Sequence, residues 1–266
     1  IKLFKKRFPE ISLSATIGNF DGMHLGHKAI LEKVKKNAKE KNLSSLVIFT
    51  EPHAAEYFSK INNSSPPPRI IPWREKLRLI SKNGIDFCML LKFDESLKSM
   101  TPEQFTGEIL EELQIKSLTI GDDFKFGKDR KGDHQYLKSW GASMGIEIDK
   151  TDTIRVDDQR VSSTRIREAL ISNNFKTANA MLDWHYSYSG KVVYGSQLGR
   201  EIGVPTANIW IPKQKLPISG VYAVRCMVNN AKYLGIANMG IRPTVGGKRP
   251  VLETHIFDFE KDIYGR

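Results

Sequence analysis

The strongest constraint on the fold is a change of rhythm near Trp184. Before it, apolar runs of strand length alternate with helical stretches. After it, glycines become dense and short β-branched segments take over. In the first region, residues 13–17, 46–50, 87–91 and 117–120 read as strands, with 46–50 and 87–91 apolar enough to be buried on both faces. Residues 28–41, 74–82, 133–144 and 164–171 read as helices. Thr101 opens another helix, with Pro102 in first position and Gln104 closing a capping box. Residues 64–68 form a loop, because consecutive prolines cannot feed a ladder. Buried strands separated by helices predict an open parallel α/β sheet.

Past Trp184, residues 191–194, 221–228, 232–236 and 251–257 read as strands, and Asn229-Asn230 suits a two-residue hairpin turn. This predicts a small antiparallel β-barrel. The fold class is therefore α/β plus all-β, with domains at 1–184 and 185–266. A length of 266 residues agrees, at about 150 residues per domain.

Composition narrows the function classes. No apolar run reaches the roughly 20 residues of a membrane helix. Residues 1–8 are basic but lead into no long apolar block, so no secretory signal is expected. Cys88 and Cys226 stand far apart without a CxxC, which excludes a disulfide scaffold and a cysteine-rich zinc site. A cytoplasmic location is expected. The net charge of +11 calls for an anionic partner, and nucleic acid, a membrane surface and a nucleotide all satisfy it. The densest cluster, Lys33, Lys35, Lys36, Lys39 and Lys41, leaves Ile30, Leu31, Val34 and Ala38 on one helical face, so it reads as a solvated surface.

Between the first strand and first helix runs Gly18-Asn19-Phe20-Asp21-Gly22-Met23-His24-Leu25-Gly26-His27. In an open α/β sheet, ligands bind at the carboxyl ends of strands. Glycine lets the backbone approach a ligand, and a helix start offers unpaired N–H groups to phosphate. His24 and His27 can present two imidazole donors to charge growing on a phosphoryl group. A metal pair and ordinary surface histidines are the alternatives. The position of the pair, after a buried strand and a glycine-rich turn, favours nucleotidyl transfer. Later, Arg160-Val161-Ser162-Ser163-Thr164-Arg165-Ile166-Arg167 opens a helix with hydroxyls and arginines suited to a triphosphate. Alone, that segment reads as an N-cap followed by solvated arginines.

These segments resemble the bacterial bifunctional riboflavin kinase/FMN adenylyltransferases, or FAD synthetases. The resemblance runs over GNFDGMHLGH, TEPH at 50–53, PPPR at 66–69, GDDFKFG at 121–127 and SSTRIR. It implies a Rossmann-like nucleotidyltransferase fold of the HxGH superfamily. It also implies that His24 and His27 hold ATP phosphates in the transition state. Gly18, Asn19, Phe20, Asp21 and Gly26 would line the ATP site. Arg160, Ser163, Thr164 and Arg167 would take the triphosphate, and Asp123 the nucleotide. Two departures stand out: Asp123 and Lys125 replace the family's usual Asn and Arg, and Ala54 replaces the proline of EPHP. An ionised Asp only accepts, so it favours contact through Mg²⁺ or ribose hydroxyls.

In the β region, Gly195, Gly199 and Gly203 read equally as barrel turns. Thr206 and Asn208 are two apart, hence on one side of an extended segment, and neutral oxygens there suit Mg²⁺ held mainly by phosphates. Spacing alone does not decide this. The resemblance does: GxPTAN at 203–208 is the riboflavin-kinase signature, accompanied by residues 220–222, 238–244 and 253–255. It implies ATP contacts at Gly195, Gly199, Gly203, Pro205, Thr206 and Asn208, Mg²⁺ at Thr206 and Asn208, flavin contacts at Asn238 and Glu253, and Glu253 as the base for the ribityl hydroxyl. A carboxylate in an apolar strand calls for a partner or a function; Arg242 and Arg249 are the alternative partners. The family continues with a largely helical segment, so part of the flavin pocket would lie beyond Arg266.

The resemblance thus implies riboflavin, FMN and ATP as small-molecule substrates, FAD as product and Mg²⁺ as cofactor, with no nucleic-acid or membrane partner. It leaves the oligomeric state open. Another HxGH transferase would explain only the first region. A nucleic-acid-binding barrel would interleave aromatic and basic residues in the second, where glycine-rich turns and PTAN stand instead.

Overall fold

The computed structural model describes all residues except 196–198, 200–202, 213–214 and 245–246, together with all side chains outside those segments except at 242–244 and 247–249. The chain forms two compact units. One comprises 1–67, 73–163 and 180–183; the other comprises 68–72, 164–179 and 184–266.

The first unit runs α1 (Lys2–Arg7), β1 (Leu13–Ile17), α2 (Leu25–Glu40), β2 (Ser44–Glu51), α3 (Ala54–Ile61), α4 (Trp73–Lys82), β3 (Phe87–Lys92), α5 (Glu95–Ser99), α6 (Pro102–Phe105), β4 (Ile115–Ile120), α7 (His134–Met144) and β5 (Glu147–Lys150), then a hairpin of β6 (Arg155–Val156) and β7 (Gln159–Arg160). The main sheet is parallel throughout, in the order β3-β2-β1-β4-β5. The strand order reverses at β1, so the crevice between the carboxyl ends of β1 and β4 is the switch point where such sheets bind ligands.

Period-two alternation divides the sheet faces. Leu13, Ala15, Leu46, Ile48, Leu118 and Ile120 build the main core with Phe105, Leu110, Leu113 and Leu137. On the other face, Ser14 Oγ donates to the Val34 carbonyl of α2 at 3.0 Å, and Asn37 of α2 donates to Ser117 Oγ at 3.0 Å. Leu31 and Val34 complete the buried face of α2. Its lysines meet acids at the surface: Lys35 with Glu32, Lys36 with Glu40, Lys33 with Asp149 and Lys41 with Glu147. The expected solvated face is thus a set of exposed ion pairs.

Thr101 caps α6 as expected, exchanging bonds of 3.3 and 2.9 Å with Gln104. The helix then widens into a π-helical stretch over Thr106–Glu111. One expectation needs correction. β3 is not buried on both faces; it is the sheet edge, its side chains alternate, and Cys88 and Leu90 are exposed. An edge strand lacks the second neighbour that would enclose it.

Two helices, α8 (Ser163–Ile171) and α9 (Phe175–Leu182), each run across the division between units. The grouping differs from a division at 184/185 in segments 68–72 and 164–179 and at Trp184. Contacts within the second unit account for this. Arg167 Nε donates to the Pro68 carbonyl at 2.8 Å, the Tyr186 hydroxyl to the Ile70 carbonyl at 3.0 Å, and the Arg69 N–H to the Lys215 carbonyl at 3.0 Å.

The second unit carries β8 (Val192–Val193), β9 (Ala207–Ile209), β10 (Gly220–Val228), β11 (Ala231–Thr244) and β12 (Gly247–Ile256). They form an antiparallel sheet in the order β10-β11-β12-β9-β8. Asn229 and Asn230 make the expected hairpin turn, with φ of 50° and 67°, the left-handed pair that matches strand twist. Ile211, Ala237, Met239 and Leu252 form the core on one face.

Candidate active sites

The first site grows from the turn after β1. The Gly18 N–H donates to the Ile48 carbonyl at 3.1 Å, extending the β1–β2 pairing into the turn. Asn19 is exposed, whereas Phe20 and Asp21 are buried. Phe20, Gly22 and Met23 take positive φ of 49°, 88° and 44°, so the chain bends sharply to start α2. His24 is the N-cap of that helix: its Nδ1 accepts the His27 N–H at 3.3 Å. A neutral imidazole that accepts at Nδ1 carries its proton on Nε2. The cap therefore fixes His24 as an Nε2 donor.

The His24 and His27 rings stack with centroids 3.6 Å apart. Gly26 makes this possible, because a Cβ there would lie 3.2 Å from the His24 ring. Burial, reinforced by His24 and by the positive charge of Lys76, holds the His27 pKa well below the usual imidazole value. Its Nδ1 is enclosed without a partner, so a proton there would be an unsatisfied donor. His27 is thus set up as a neutral group beside the Nε2 donor of His24.

Across the switch point, the turn after β4 brings Asp122 and Asp123 to Arg160. The guanidinium lies 2.6 Å from Asp122 and 3.0 Å from Asp123. Both Arg160 and Asp123 are exposed, and surface pairs contribute only about 0–1 kcal/mol. Such a guanidinium can exchange carboxylate for phosphate at little cost. Ser163, at the start of α8, donates to the Asp21 carbonyl at 2.9 Å and ties the SSTRIR segment to the histidine turn. The first unit therefore assembles Gly18, Asn19, Phe20, Asp21, His24, Gly26, His27, Asp123, Arg160 and Ser163. Thr164 and Arg167 belong to the second unit, where Thr164 is exposed and Arg167 holds the Pro68 carbonyl.

The second site is a row across the antiparallel sheet. Asn238 of β11 pairs with Glu253 of β12, and Glu253 pairs with Asn208 of β9. Directly opposed residues share a face, so the three polar side chains line up on the side away from the Met239 and Leu252 core. Gly195 packs onto this row, since a Cβ there would lie 2.4 Å from the Asn208 amide. A Cβ on Gly199 would meet the Val204 carbonyl at 2.4 Å and Thr206 Oγ1 at 3.6 Å. Gly203 takes φ +76°. His255 Nδ1 lies 2.8 Å from the Pro205 carbonyl and ties PTAN to β12. Asn208, Asn238 and Glu253 thus share one row, with Gly195 packed against it and Gly199 beside Thr206. The side chains of Arg242 and Arg249, its alternative partners, lie outside the described residues.

Sequence reasoning passed over Asp122 and Lys76. Asp122 stood inside the GDDF segment, overshadowed by its neighbour. Lys76 carried a signal: it falls four residues before Ile80 on the buried face of α4.

Residues 9–165 match the family model described as FAD synthetase, and residues 182–266 match that of riboflavin kinase. The bifunctional riboflavin kinase/FMN adenylyltransferase of Escherichia coli K12 is 40% identical over 97% of this chain and 82% of its own length. That of Haemophilus influenzae is 40% identical over 94% of this chain and 81% of its own. The chain belongs to the FAD synthetase family. A solved Streptococcus pneumoniae structure, titled a macrolide-efflux protein, is 30% identical with a TM-score of 0.77, covering 97% of this chain and 84% of that one. Its title describes that protein. Among the described residues here, no helix is long and apolar enough to cross a membrane.

Proposed function

We propose that the chain makes FAD from riboflavin in two ATP-dependent steps. The β unit transfers the γ-phosphate of ATP to riboflavin, giving FMN and ADP. The α/β unit joins FMN to the adenylyl group of a second ATP, giving FAD and pyrophosphate. Both steps work by positioning and charge stabilisation around phosphorus. The observation that carries the proposal is that the stacked histidines follow β1 and the Asp122–Asp123 pair, bound to Arg160, follows β4, the two neighbouring strands that flank the switch point of the parallel sheet.

In the adenylyl step, His24 Nε2 donates to the phosphate charge that develops at the α-phosphorus, with His27 beside it. Arg160, with Ser163 at the start of α8, receives the rest of the triphosphate. In the kinase step, Glu253 takes the proton of the ribityl 5′-hydroxyl as it attacks phosphorus. Asn238 and Asn208 orient flavin and nucleotide on either side of it. The residues present fit Mg²⁺ held mainly by ATP phosphates: Thr206 and Asn208 supply neutral oxygens, and the missing Cβ of Gly195 lets that residue pack against the Asn208 amide. Bound there, Mg²⁺ would neutralise phosphate charge. The domain division at 184/185 and a cytoplasmic location, where ATP is available, belong to the same proposal.

Incubating the chain with riboflavin and Mg-ATP, then separating flavins by chromatography, tests it. FMN should appear first and FAD after it. Unchanged riboflavin, together with unchanged FMN when FMN is supplied, would overturn it. A salt-dependent shift with RNA or DNA in that case would support the nucleic-acid reading of the basic charge.

A further inference from the structure

Lys76 is a fully buried lysine that neither proposed reaction uses. It lies on α4 at 0% exposure. Lysine is almost never buried this far without a partner or a task. Its Nζ lies 2.9 Å from Nε2 of His53 and 4.5 Å above the centre of the Phe49 ring. Phe49 follows Ile48, the residue that pairs with Ile17 and whose carbonyl accepts the Gly18 N–H. His53 stands two residues past β2, at the start of α3, with its own N–H donating to Glu56 at 3.2 Å. The ammonium thus fastens α4 to the carboxyl end of β2, beside the histidine turn. Its field is felt there: it acts on the ring of His27 and on the thiol of Cys88.

The 2.9 Å contact holds the His53 ring from α4, and the capping box at the start of α3 holds it from the other side. We propose that Lys76 is a positioning residue for adenylyl transfer, which fixes the ring of His53 and so shapes the ligand crevice at the carboxyl end of β2. The proposal rests on the adenylyl-transfer function above. Lys76 acts through His53, a residue at the strand end where open α/β sheets place their ligands.

The test uses the full chain with FMN and Mg-ATP for the adenylyl step, and riboflavin and Mg-ATP for the kinase step in the same preparation. Nitrogen-15 spectra of the imidazoles report the state of the His53 ring. Its Nε2 signal should move between the unsubstituted chain and Lys76→Met; an unmoved signal overturns the proposal. Lys76→Met keeps the length of the side chain and removes both charge and donors. It should lower adenylyl transfer roughly tenfold or more, as small misplacements at a reacting centre do, with the kinase step within about twofold. Lys76→Gln restores a donor to His53 and should recover part of the loss. Equal adenylyl rates in all three chains would make Lys76 structural only, and parallel loss of both activities in both variants would do the same. Failure of the unsubstituted chain to form FAD would overturn the function instead, and that outcome is distinct.

Discussion

The two sites handle the same anion with opposite architectures. The histidine turn is built from backbone: positive φ angles, an N-cap and a stacked ring pair fix two imidazoles at one strand end. The kinase row is built from register, with three polar side chains on neighbouring strands of a half-covered sheet. A turn holds its groups locally, so its chemistry survives wherever the strand–helix junction survives. A register row depends on residues far apart in sequence, and slipping one strand by a residue would send its side chain to the other face. The first design suits donors that must not move. The second suits polar groups that must face one substrate from different strands.

This contrast breaks cleanly under substitution. Glu253→Gln keeps shape and register but removes the base, so FMN formation should fall roughly 10²- to 10⁴-fold. FAD formation from supplied FMN should continue, which a flavin assay begun from each substrate reads directly. His24→Ala should do the reverse: loss of one transition-state donor lowers adenylyl transfer roughly 10²-fold or more, with riboflavin phosphorylation intact. Loss of both activities from either change in a folded chain would mean that the sites are not independent.

The turn was more legible in sequence than the row. GNFDGMHLGH is contiguous, so strand, turn, cap and histidines are read in one pass, and the structure assembles them locally. Asn208, Asn238 and Glu253 are far apart in sequence, and only strand pairing makes them neighbours; spacing alone could not have joined them. The resemblance to riboflavin kinases supplied what register later explained. Charged residues on buried faces were the hardest to read. Lys76 looked like one more helix lysine, and only its helical phase with Ile80 distinguished it from the paired lysines of α2. The edge position of β3 was equally hidden, because a run such as Phe87–Leu91 is apolar whether one face is covered or two.

The glycines sharpen the comparison at smaller scale. At Gly195 an added Cβ would come within 2.4 Å of the Asn208 amide, too close without moving the row. Gly195→Ala should therefore lower the kinase rate roughly tenfold or more through displacement of a ligand group. At Gly26 the added Cβ would lie 3.2 Å from the His24 ring, a conflict that a shift of a few tenths of an ångström relieves. Gly26→Ala should cost the adenylyl step less than tenfold. Steady-state rates for both reactions in each variant rank the two effects, and the reverse ranking would contradict the close packing at Asn208.

The smallest effect concerns protons, and it separates the turn from the row once more. Burial, then His24, then Lys76 depress the His27 pKa below its ordinary value of about 6.5. The folded chain therefore binds fewer protons than the unfolded chain once pH falls below that value. Stability rises with pH wherever the unfolded state holds more protons. His27 thus contributes stability that is present above pH 6.5 and is lost as pH falls from there through the depressed folded pKa. Gln at this position has no proton to gain. Melting the native chain and His27→Gln at pH 7.5 and 5.5 should show a smaller loss on acidification in the variant, whatever their difference at pH 7.5. Equal losses would mean that the enclosed imidazole is as easily protonated folded as unfolded, and that the histidine turn does not hold its donors neutral.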